Sequence, residues 1–315
     1  MEQTQSMSPK IFLNKVLAGT ATGIIIGLIP NAVLGAILRY FSGSSFAMAV
    51  AQMAVIFQLA TPLIIGGLIA LQFGFAPMKM MVVAGAAFVG SGVVKFTPEL
   101  GETGVYVGAG TGDIINTMIT ASIAVGLIYL IGERFGSVAI VLTPIVVGVG
   151  AGVIGFYLYP YVADITSAIG TVINNFTTLQ PLLMSILIGC SFAFLIISPI
   201  STVAIGVAIA ITLGAMKMMM PNLFRRPVIL VPCLISAVIT AIPVALLSIS
   251  GTPASAGFGI VGLVGPLASL DAGLNPALVV LSWLVVPVAA ALFTQFLCEK
   301  VLKLYDRADV FEFLG

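Results

Sequence analysis

The sequence predicts an all-α integral membrane protein of about nine or ten transmembrane helices, with two re-entrant Gly-rich hairpins and an internal repeat. Three observations carry this. The chain is 60% hydrophobic and 7% charged, where soluble domains carry roughly 25% charged residues. Its apolar runs are continuous and long enough for helical spans, unlike the short alternating segments of a β-barrel. Two of the runs end in a Thr-Pro followed by glycines. The first is Thr97-Pro98-Glu99-Leu100-Gly101-Glu102-Thr103-Gly104, continuing through Gly112. The second is Gly251-Thr252-Pro253-Ala254-Ser255-Ala256-Gly257-Phe258-Gly259, continuing through Gly265. In hydrocarbon, unpaired backbone is tolerated only where protein buries it or where it lines a wet cavity. A matched pair of breaks therefore points to a solute site in a transporter.

The spans follow in order. Lys15–Leu38 comes after Lys10 and is too long for a cleavable signal peptide, so it reads as a retained first span. Phe46–Phe73 contains Gln58 and Thr61-Pro62. Met80–Val94 leads into the first break. Ile114–Ile131 opens after Asp113, a strong N-cap residue type. Val138–Tyr159 follows. Tyr161–Gln180, with Asp164, Asn174 and Asn175, is too polar for an easy span and reads as an interfacial helix or a loop. Leu182–Ile197, Thr202–Met216 and Val228–Ile249 lead to the second break. Asp271-Ala272-Gly273-Leu274-Asn275-Pro276 reads as a turn before the last span, Ala277–Leu297.

Lysine and arginine mark the cytoplasmic side. Lys10 and Lys15 place the N-terminus inside, and Lys79, Glu133-Arg134, Arg225-Arg226 and Lys300, Lys303 and Arg307 favour the same side. Nine crossings cannot leave both termini inside. Either one span is re-entrant or Tyr161–Gln180 crosses.

Met78-Lys79-Met80-Met81 recurs as Met216-Lys217-Met218-Met219. Each copy ends a span and is followed by a span, a Thr-Pro break and another span. The chain thus reads as one permease domain, 1–315. It holds repeat 1 at about 15–132, a linker at 133–180, repeat 2 at 181–298 and a short cytoplasmic tail at 299–315. An odd number of crossings between copies inverts the second. The inverted arrangement fits alternating access but places Lys217, Arg225 and Arg226 outside, against the charge rule.

Composition excludes several classes. Net charge is +1, which makes no electrostatic case for nucleic acid. There is no histidine, so His-based catalysis and His-containing metal sites are absent. Cys190, Cys233 and Cys298 lie in apolar runs and form no disulfide or metal spacing. Gly108-Ala109-Gly110-Thr111-Gly112 lacks the lysine of a nucleotide loop. No catalytic residue, metal or cofactor is expected.

Most charges sit at span ends, where snorkelling explains them. The exception is Lys95, Glu99, Glu102 and Asp113, gathered at the first break. A carboxylate accepts up to about four hydrogen bonds and so suits polyols and sugars. Thr97, Glu99 and Glu102 are the candidates there, with an exposed polar loop as the alternative. Lys95 would meet Glu99 only if a helix persisted past Pro98. Asp113 reads as the cap of Ile114–Ile131. The second break offers Thr252, Ser255 and bare backbone at Gly257 and Gly259, which suits a neutral polar solute or a small anion. Lys95, Gln58 and Asn31 are secondary candidates.

The second break, with Gly262-Leu263-Val264-Gly265-Pro266, resembles the IIC-like membrane proteins of the phosphotransferase system, in the branch that contains the perfringolysin O regulator. The resemblance extends over nearly the whole chain. It implies an all-helical permease in the bacterial inner membrane, a homodimer, and elevator-like movement of a hairpin domain against a scaffold. It also implies a hairpin glutamate on a sugar hydroxyl, for which Glu99 and Glu102 are the nearest positions. The chain carries no soluble IIA or IIB domain, so a IIB-type partner would be a separate protein. The expected function is transport of a small polar solute, with a membrane-embedded ligand sensor that moves nothing as the alternative.

Overall fold

The computed structural model describes residues 8–99, 104–175, 181–197, 220–250 and 263–306. Thr202–Met216, Glu102 and the second break, with Thr252, Ser255, Gly257 and Gly259, lie outside them. The described chain is almost wholly helical. It begins with α1 (Pro9–Leu38), α2 (Ser45–Leu59), α3 (Thr61–Gln72) and α4 (Pro77–Gly90). Strands β1 (Val94–Thr97) and β2 (Val105–Gly108) come next. Helices α5 (Ile114–Ile131), α6 (Ala139–Thr143), α7 (Gly150–Asn175) and α8 (Pro181–Ile197) follow. The chain closes with α9 (Met220–Arg225), α10 (Leu230–Leu246), α11 (Val264–Asp271), α12 (Pro276–Val280) and α13 (Val286–Phe296).

A π-turn at Pro144–Val149 joins α6 to α7, and another at Leu281–Val285 joins α12 to α13. Pro144 opens the first, where it has no N–H to give to the preceding turn. Among the described residues, 5 helices are long and apolar enough to cross a membrane, or 6 if α2 and α3 count as one bent span.

Three boundaries differ from the sequence reading. Phe46–Phe73 is two helices bent by 47°, because Pro62 sits in the first turn of α3 and cannot extend the hydrogen-bond ladder from α2. The Met80–Val94 run ends as a helix at Gly90, where the chain turns into β1. The Val138–Tyr159 run continues through Pro160 to Asn175. No turn-forming pair lies between Tyr159 and Asn174-Asn175, and an isolated proline kinks a helix without having to end it.

The chain forms two compact units. The first is Met1–Pro30 with Gln52–Asp164, and the second is Asn31–Ala51 with Ile165–Leu314. In the first, small residues let backbones approach. Gly19, Gly23 and Gly27 recur every four residues and so share one face of α1. A Cβ built on Gly19 would lie 2.5 Å from Ile69 Cα, and one on Gly23 2.6 Å from Ile65 Cα. Gly66 of α3 meets Ala84 and Ala87 of α4 in the same way. Lipid offers no hydrophobic drive between helices, so such seams bind them through close packing. Leu17, Ile65, Ile69, Val83 and Val125 fill the interior of this unit.

In the second unit, α10 packs against α8 and α13. Ser236 Oγ donates to Thr294 Oγ1 across α10 and α13 at 3.2 Å. Trp283 Nε1 donates to Ser269 Oγ at 3.1 Å. The turn expected before the last span is present: Asn275 accepts from Ala277 N at 2.9 Å and Pro276 opens α12. Arg39 pairs with Asp271 at 3.3 Å.

Candidate functional site

The first break folds as an antiparallel β-hairpin, with Val94 opposite Gly108, Lys95 opposite Val107, Phe96 opposite Tyr106 and Thr97 opposite Val105. Val, Phe, Thr and Tyr suit extended backbone, and Pro98 ends the first strand. The hairpin closes on the end of α4 and the start of α5. Ala109 N donates to Val93 O at 3.0 Å, and Asp113 N to Ser91 O at 2.8 Å. Gly112, at φ +65°, lies where a side chain would strike Ser91.

Asp113 caps α5 as its position in the sequence predicts, accepting from Asn116 N at 2.8 Å. Behind it lies a buried polar row of Ser91, Thr111, Asn116, Thr117 and Thr120. Its side chains donate to backbone carbonyls. Ser91 Oγ donates to Phe88 O at 2.7 Å, Thr117 Oγ1 to Asp113 O at 2.7 Å and Thr120 Oγ1 to Asn116 O at 2.7 Å. Asn116 Nδ2 donates to the carbonyls of both Gly90 and Gly155, tying α4, α5 and α7 together. The row is therefore a joint that holds the hairpin, and its hydroxyls are already used.

The strand alternation divides the hairpin into two faces. Lys95, Thr97, Val105 and Val107 occupy one. On that side the Lys95 ammonium lies 5.3 Å from the centre of the Tyr159 ring of α7, a cation–π contact. Val94, Phe96, Tyr106 and Gly108 occupy the other. That face meets the α2–α3 break: a Cβ built on Gly108 would lie 3.3 Å from Leu59 Cδ1. At the break, Thr61 Oγ1 donates to Gln58 O at 2.6 Å, taking a carbonyl released by the bend.

The structure thus gathers four sequence candidates in the first unit. Thr97 is half-buried at the end of β1, Glu99 is exposed in the turn, Lys95 is exposed on β1, and Gln58 is half-buried at the break beside the hairpin. The strand replaces the helical turn that a Lys95–Glu99 pair requires. Asn31 falls in the second unit. Sequence reasoning missed Asn116, Phe96 and Tyr106. A lone amide in the apolar run of α5 was the available signal for the first. The Val-Lys-Phe-Thr and Val-Tyr-Val stretches were the signal for the strands.

Charges collect at the end of this unit away from the hairpin. Lys79 Nζ pairs with Glu133 Oε1 at 2.7 Å, joining the start of α4 to the residues after α5. Lys15 lies 5.3 Å from the Phe73 ring centre, and Phe73 and Phe75 both contact Tyr129. An apolar cleft of about 450 Å³, lined by Met78, Met81, Val82, Val89, Pro144 and Val149, lies between α4 and the first π-turn. It offers almost no polar atom to orient a solute. Among the described residues, no three His, Cys, Asp or Glu side chains are grouped to hold a metal.

The family model described as Phosphotransferase system, EIIC matches residues 14–212 and 205–311. It matches at the level of the family as a whole. No curated protein and no solved structure matches the chain.

Proposed function

The chain belongs to the phosphotransferase system EIIC family, and from that premise we propose that it carries a small polar solute of the sugar or polyol class, bound around the 94–108 hairpin. Multi-pass membrane character and a transporter role follow from the family and the apolar helices. The observation that supports this site is the shortness of the two helices that precede the hairpin. Helices α3 and α4 have 12 and 14 residues, about 18 and 21 Å at 1.5 Å per residue. Neither crosses a hydrocarbon core of about 30 Å alone. The hairpin that follows α4 therefore starts below the far surface. It carries Lys95, Glu99 and strand edges that hydrocarbon does not tolerate. Water or solute has to reach it.

In this reading Glu99 and Glu102 accept from solute hydroxyls, and Thr97 and Gln58 complete the polar lining. Thr252, Ser255, Gly257 and Gly259 of the second break are the further candidates for solute hydrogen bonds. The hairpins move as a body against a homodimeric scaffold in the bacterial inner membrane, with the N-terminus cytoplasmic. If phosphorylation drives the transport, a IIB-type protein is the partner that the family implies.

Uptake into proteoliposomes tests the site. Glu99→Gln and Glu102→Gln should each weaken solute affinity about tenfold, the loss of a charge-assisted hydrogen bond. Unchanged uptake and affinity in both variants would remove the hairpin from the site. Saturable binding without flux in the parent protein would assign the sensor role instead.

A further inference from the structure

We propose that Phe96 and Tyr106 form a stacking platform for the apolar face of a cyclic sugar, so that the hairpin selects ring forms over open-chain polyols. The proposal rests on the carbohydrate reading above and narrows it. The two rings are cross-strand partners on one face of the hairpin, with centroids 5.2 Å apart and planes tilted by 53°. They are 52% and 77% exposed, although they are the largest apolar side chains of the two strands. Gly104, at φ +79°, sits where any Cβ would run into the Phe96 ring, so the turn is shaped around that ring.

The surroundings decide what such a pair can hold. A two-stranded ribbon leaves outer backbone edges unpaired, and those edges need water or protein partners. Glu99, exposed in the turn that follows β1, needs water as well. The rings therefore do not sit in bulk lipid. Their face looks toward the α2–α3 break, where Gln58 is half-buried and Leu59 packs against Gly108. The hairpin thus offers an aromatic face, with the half-buried Gln58 at the break near its base and the exposed Glu99 in its turn. A pyranose has the matching chemistry: a flat C–H face that stacks on π-systems and a rim of hydroxyls. An open-chain hexitol offers the hydroxyls without the flat face.

The bland account is that the pair merely steadies the hairpin, since cross-strand aromatic pairs contribute roughly 0.2–1 kcal/mol. Leucine separates the two, because it fills the strand face without a π surface. The full-length protein in detergent would be titrated with glucose, galactose and mannose and with their hexitols, sorbitol, galactitol and mannitol. The expected result is that at least one pyranose binds about tenfold more tightly than its hexitol. Phe96→Leu and Tyr106→Leu should cut that affinity about tenfold and leave hexitol affinity within about twofold. Phe96→Tyr should retain pyranose binding. If the leucine variants bind the pyranose as the parent does, or lose pyranose and hexitol alike, the platform is overturned while the carbohydrate reading stands. If the parent protein binds none of the six, both fall together.

Discussion

Asn116 shows how much one side chain holds at this site. It is fully buried, and its Nδ2 donates to carbonyls on two other helices, Gly90 of α4 and Gly155 of α7. Its Oδ1 has no hydrogen-bond partner among the described residues. Removing the amide leaves two buried carbonyls without this donor, at a cost of about 1–3 kcal/mol. Asn116→Ala should therefore lower thermal stability in detergent. Asn116→Asp should lower it further, because a carboxyl oxygen would face both carbonyls and any charge would be buried without a partner. If Asn116→Asp melts as high as the parent, the three-helix joint does not depend on this residue. The contrast with Asp113 explains what a sequence reveals at this scale. A cap is local: an acid directly before an apolar run is visible in the chain itself. A tertiary hydrogen bond to residues far along the chain leaves no local mark.

At the level of elements, Ile114–Ile131 was legible end to end because it is a continuous apolar run between an N-cap acid and a glycine. The β-hairpin was not, since four-residue strands set among glycines read as loop. The bend at Ala60 was legible in part, since Gln58 and Thr61-Pro62 interrupt the run and such residues signal a helix kink, though not its 47° angle. The glycine seams were also missed, although Gly19, Gly23 and Gly27 are evenly spaced. Spacing signals a seam, but only packing shows which glycines are needed. Gly66 and Gly85 make that distinction measurable. A Cβ on Gly66 would lie 2.6 Å from Ala87 Cβ and 2.9 Å from Ala84 Cα, whereas nothing lies within 4 Å of one on Gly85. Gly66→Ala forces α3 and α4 apart and should cost about 1–3 kcal/mol. Gly85→Ala adds helix propensity in open space and should be neutral or stabilising by up to about 1 kcal/mol. Melting curves of the two variants would decide it. Equal stability would mean that the α3–α4 contact can yield without cost.

For the molecule as a whole, the first unit has two unlike ends, and this fixes how it should sit in a bilayer. One end has the hairpin. The other has Lys15 against Phe73, the Lys79–Glu133 pair and the Phe73–Phe75–Tyr129 cluster. Aromatic rings with lysines mark a membrane–water interface, and excess Lys and Arg mark its cytoplasmic side. The start of α1, the start of α4 and the end of α5 should therefore all face the cytoplasm. Glu133 provides the probe, since its side chain is 86% exposed. Glu133→Cys breaks the pair with Lys79, but an ion pair this exposed contributes at most about 1 kcal/mol, so the fold should survive. Cys190, Cys233 and Cys298 would first be replaced so that the new thiol is the one labelled. A membrane-impermeant maleimide should then miss position 133 in intact cells and label it in inverted vesicles. Labelling in intact cells would turn the unit over. The hairpin would then open from the opposite side of the membrane.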